Sequence, residues 1–154
     1  MTRKITLLTV AVLGLAVGYV LADPTTDLLD FSDPQARTAE FIRLYDEIKL
    51  TPEQEQIKHD ALSVIPARCC ADNSAYTCCC PCNLSRSLWG LSAWLITEQG
   101  ADADTVRSEV RRWYAAVNSN EFPGDTCYTA GGCGKPFAEG GCGGMHPEHV
   151  AWGS

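Results

Sequence analysis

The sequence predicts a mainly α protein: a small helical bundle containing an αα-hairpin, set beside two Cys-rich irregular segments. Three observations lead there. Apolar residues recur at helical spacing in four runs between Asp33 and Val117, and helix-starting residues stand at the head of each run. All nine cysteines fall where that spacing is absent.

The first run carries Phe41, Leu44, Tyr45 and Ile48, with Asp33 placed to cap it and Pro34 at the first helical position. The second opens on Thr51-Pro52-Glu53-Gln54, a capping-box pattern in which Gln54 can reach back to the cap. Its inward stripe is Ile57, Ala61 and Val64 or Ile65, and Pro66 ends it because proline disfavours helical geometry in the residue before it. Asn83 is placed to cap a third helix with Leu84, Leu88, Leu91 and Leu95 inward and Gly100 as its stop. Asp102 or Asp104 then caps a fourth with Val106, Val110, Trp113 and Val117 inward, and the last two helices read as the hairpin. Trp89, Trp94 and Trp113 fall on or beside these stripes and are expected in the core, whereas His59 lies between Lys58 and Asp60 and is expected at the surface.

From Asn118 the periodicity stops, and nine of the thirteen glycines lie between Gly124 and Gly153, so residues 118–154 are expected to form an irregular Gly/Cys-rich tail. At the other end, Arg3 and Lys4 precede an uncharged stretch from Ile5 to Ala22. A positive n-region and an apolar run make residues 1–22 a signal peptide, with Val20-Leu21-Ala22 before the cleavage point, or an N-terminal membrane anchor. Either way residues 23–154 form a single domain expected outside the cytoplasm, periplasmic or secreted, touching a membrane only through that segment.

Removing residues 1–22 takes away two cations and no acid, so the net charge falls from −7 to −9. Nucleic acid is excluded as a partner, because phosphate binding needs clustered Lys and Arg, whereas metal cations suit an acidic chain. The sequence has no Gly-rich phosphate loop, no Gly-x-Ser-x-Gly elbow and no His-Glu-x-x-His helix, which removes the anchors of phosphoryl transfer, serine hydrolysis and zinc proteolysis. Covalent c-type haem is excluded too, since Cys79-Cys-Pro-Cys82 is followed by Asn83 and not by histidine.

The cysteines divide into Cys69, Cys70, Cys78, Cys79, Cys80 and Cys82 in one segment and Cys127, Cys133 and Cys142 in the other. Three chemistries fit. Disulfide stapling as a structural or interaction protein suits a small exported domain, though the odd total and three consecutive cysteines leave at least one thiol over. A soft-metal site, copper or zinc, suits closely spaced thiolates, with glycines beside Cys133 and Cys142 freeing the backbone to wrap an ion. Its candidate ligands are Cys78, Cys79, Cys80, Cys82, Cys133 and Cys142, joined by Met145 and His146, while Cys69, Cys70 and Cys127 are the candidate bridge partners. Thiol–disulfide exchange is the third, with Cys79 attacking and Cys82 resolving at a helix N-terminus, where the dipole lowers thiol pKa.

Two resemblances bear on these alternatives. Cys142-Gly-Gly-Met145-His146-Pro147-Glu148 resembles the Cys-Pro-Met-His-Pro-Glu segment of the short heavy-metal-binding domains of copper-transporting systems, with two glycines in place of the proline and His149 where an apolar residue is usual. It implies copper as the ion and a metal transporter as a partner. Residues 79–114, through Cys79, Cys82, Asn83, Gly100 and Tyr114, resemble the helical thiol reductase of cytochrome c maturation. That resemblance implies thiol exchange with an exported thiol protein.

Overall fold

Asp33 and Pro34 open the first helix as their chemistry requires: the Asp33 carboxylate accepts the Ala36 amide at 3.1 Å, and α1 runs Pro34–Glu47. The computed structural model describes residues 29–68, 70, 72–117 and 132–153. The export or anchor segment, Cys69, Cys127 and the tail between 118 and 131 lie outside the described residues. The second helix, α2 at Pro52–Leu62, begins with the full capping box: Thr51 Oγ1 accepts the Gln54 amide and Gln54 Oε1 accepts the Thr51 amide. Thr51→Ala removes one half of that exchange and is expected to cost about 1 kcal/mol. A lowered urea midpoint at unchanged slope is the check.

This helix stops earlier than the proline predicts. Ser63 caps it, its amide bonded to the His59 carbonyl, and the chain turns so that Leu62 and Ile65 are buried while Val64 is 58% exposed. Pro66 instead pairs with Ser74 in an isolated antiparallel bridge, which folds residues 65–75 into a turn against the bundle.

The hairpin forms as expected, from α3 at Asn83–Glu98 and α4 at Ala103–Val117. Leu84, Leu88, Leu91 and Leu95 are all buried, as are Val106, Val110, Trp113 and Val117 on the facing helix. Gly100 adopts φ +61° just past α3, a conformation that glycine reaches without a Cβ clash, and the Asp102 carboxylate accepts the Thr105 amide to start α4.

All four helices share one core. Trp113 is fully buried, its ring edge-on to Phe41 at 5.0 Å between centroids, and its indole N–H donates to Ser87 Oγ at 2.9 Å, joining α4 to α1 and α3. Trp94 is buried, and half-buried Trp89 donates to the Ala75 carbonyl, holding the 65–75 turn on α3. His59 is exposed, as expected. Among the described residues no helix is long and apolar enough to cross a membrane.

The described part of the tail, two 3-10 turns at Gly132–Gly134 and Phe137–Glu139 followed by irregular, turning chain, folds back onto the N-terminus of α3. Phe137 is buried and stacks against Trp152 at 4.8 Å, which turns the Gly-rich segment into a packed lobe.

Candidate metal centre

The chemistry of the first cysteine segment follows from its backbone. Proline at 81 disfavours the helical region for Cys80, and Cys82 itself is extended at φ −72°, ψ 168°. The chain bends at Cys79 and Cys80, and the sulfurs of Cys78, Cys80 and Cys82 converge, all within 4.8 Å of one another, while Cys79 and Pro81 are exposed.

Cys82 also ends one element and begins another, since it is the N-cap of α3 and Asn83 is the first helical residue. The expected cap at Asn83 is displaced by one position because the tail supplies the acceptors that a capping side chain would otherwise provide. The Asn83 amide donates to the Gly144 carbonyl at 2.9 Å and the Leu84 amide to the Cys142 carbonyl at 3.1 Å, which satisfies two of the helix's orphan donors. The fully buried Asn83 side chain donates to the carbonyls of Gly143 at 2.8 Å and His146 at 3.0 Å. A residue expected to start a helix thus clamps the tail onto it.

That clamp brings the second cysteine segment to the first. Cys142 is fully buried beside Cys82, and Gly143 after it has φ +74°, with a Cβ there falling 2.4 Å from the Phe137 ring. The glycine expected to free the backbone at Cys142 is required, by both dihedral and space. Cys133, in the first 3-10 turn, places its sulfur 2.8 Å from that of Cys80, and Cys79 lies 3.7 Å from Cys80 on the same measure. Both separations exceed the about 2.05 Å of a disulfide bond.

The electrostatics favour the charged form at Cys82. Thiols of Cys142, Cys78 and Cys80 donate toward Cys82 and hold its pKa below the ordinary thiol range, against the opposing effect of burial. Cys80 is pushed the other way, first by donating to Cys82, then by burial and the contact with Cys133. Cys82 stands at the N-terminus of α3, where the helix dipole acts in the same direction.

The trio fits a soft ion. The centre of a triangle of 4.8 Å edges lies about 2.8 Å from each corner, so a contraction of about 0.5 Å reaches the about 2.3 Å of a zinc–thiolate bond. Cys142 and Cys133 stand beside that triangle as further thiols. The other expected ligands are placed differently. Met145 is 38% exposed and His146 is exposed, and it is the His146 backbone carbonyl that engages Asn83. Among the described residues the imidazole does not belong to the group of ligands that closes. Cys70, expected as a bridge partner, is a buried thiol that accepts the Asn73 amide at 2.9 Å in the turn under α3.

No protein-family model, curated protein or solved structure matches the chain.

Proposed function

We propose that the protein is an extracytoplasmic, cysteine-rich protein that binds a soft metal ion, copper or zinc first, through Cys78, Cys80 and Cys82 with Cys133 and Cys142 closing over them. The observation that carries this reading is the convergence of three thiols from one five-residue segment to within 4.8 Å. Soft thiolates select such ions, and ligands this close in sequence lose little entropy when the site closes. The apolar stretch from Ile5 to Ala22 supports export, and the acidic balance supports a cationic ligand. A metal transporter or an exported thiol protein is the partner such a site would serve. Metal binding is favoured over exchange by Cys79 and Cys82, because the thiols that converge are Cys78, Cys80 and Cys82, with Cys79 outside the group.

The full chain, purified reduced and without oxygen, is expected to keep stoichiometric copper or zinc through desalting. The triple variant Cys78→Ser, Cys80→Ser, Cys82→Ser is expected to lose it. Equal metal content in the two proteins, measured by elemental analysis, would defeat the reading.

A further inference from the structure

The thiols outnumber what one ion needs. A structural zinc takes four ligands, and two sulfurs on one ion sit about 3.8 Å apart in a tetrahedron or about 4.0 Å apart in a trigonal plane. Here the sulfurs form a connected set in which two members are hubs. Cys82 belongs to the converging trio with Cys78 and Cys80 and lies against Cys142, which the Leu84 amide fixes through its carbonyl. Cys80 belongs to the same trio, contacts Cys133 at 2.8 Å and lies 3.7 Å from Cys79. Two groups thus share Cys80: the converging trio with Cys78 and Cys82, and the pair that Cys80 makes with Cys133.

Sharing of sulfurs is what discriminates among soft ions. Zinc in a closed site prefers four ligands of its own. Monovalent copper is content with two or three thiolates and accepts a sulfur that bridges to a second copper, so two groups of thiols that share one sulfur match it. Burial of Cys82, and of Cys142 against it, keeps water from one side of the trio. Cys133, half-buried on a short turn between glycines, is placed to move the about 1 Å by which it and Cys80 must separate to admit an ion.

We propose that the site holds two copper(I) ions bridged by the Cys80 thiolate, with Cys78 and Cys82 completing one ion's ligands and Cys133 the other's. This rests on the metal-binding reading above and deepens it. Each thiol that binds releases its proton to solvent, and copper enters already reduced, so no electron transfer is involved.

The test is an anaerobic titration of the reduced full chain with copper(I) against a chromogenic copper(I) chelator, followed by native mass spectrometry. Two coppers per chain at saturation are expected, with a copper–copper scattering path in X-ray absorption and the red luminescence of a water-shielded cluster. Cys133→Ser is expected to lower the stoichiometry from two to one while helicity is kept. Saturation of the unaltered chain at one copper would overturn the proposal and leave the single-ion reading standing, whereas no copper bound would overturn both. Two coppers retained by Cys133→Ser would overturn the placing of the second ion on Cys133.

Discussion

Cys82→Ser is expected to weaken metal binding by more than about 100-fold while leaving the apo fold close to its original stability. Groups that merely orient a metal's ligands are worth about 10–100-fold in affinity, and Cys82 is placed as a ligand itself, at the meeting point of Cys78, Cys80 and Cys142. Serine removes the sulfur that Cys78, Cys80 and Cys142 contact. It does not remove the residue's other role, because Cys82 is the N-cap of α3 and serine is among the preferred residues there. Loss of cap chemistry therefore does not accompany loss of the ligand. Competition titration should show the affinity change, and circular dichroism of the apo protein should show unchanged helicity with a thermal midpoint within a few degrees of the unaltered chain. Affinity within tenfold of that chain would place the ion elsewhere.

The helices were legible because their signals are local. Asp33 with Pro34, and Thr51 with Gln54, satisfy backbone donors within four residues, so the sequence needs no knowledge of the rest of the chain to announce them. The leucine stripe of α3 and the valine stripe of α4 report burial through spacing alone. The end of α2 was harder to see, since Pro66 marks only the last position a helix could reach, and the chain left it at Leu62 to bury Ile65 and form the bridge to Ser74.

The thiol site was legible as a set of residue types and not as an arrangement. Cys78, Cys80, Cys82, Cys133 and Cys142 were all candidates, but their grouping depends on two things that spacing does not carry. One is the bend at Cys79 and Cys80, which brings the sulfurs of Cys78, Cys80 and Cys82 together. The other is the bond from Asn83 to carbonyls some sixty residues away, which no local pattern reports. Met145 and His146 show the converse: both follow Cys142 closely in sequence, yet both stand exposed, and the His146 imidazole is outside the group that converges.

Gly90→Ala is expected to destabilise the fold by about 3 kcal/mol or more, and this case sets two effects of opposite sign against each other. By helix propensity alone the change should help, since glycine within a helix is about 1 kcal/mol less favourable than alanine. Packing decides otherwise. α1 crosses α3 so closely that a Cβ at Gly90 would lie 1.8 Å from the Phe41 carbonyl oxygen and 2.9 Å from the Tyr45 amide nitrogen. Both atoms belong to the backbone of a regular helix, so no side chain can swing aside and α1 must move as a unit. Phe41 is fully buried against Trp113, and displacing it opens the core contact that joins α1 to α4. Overpacking of a core costs about 1–3 kcal/mol when side chains can adjust, and a rigid backbone obstacle belongs at or beyond the top of that range. A denaturant midpoint well below that of the unaltered chain is the expected result. A midpoint equal or higher would mean that propensity wins and that α1 and α3 do not cross at Gly90.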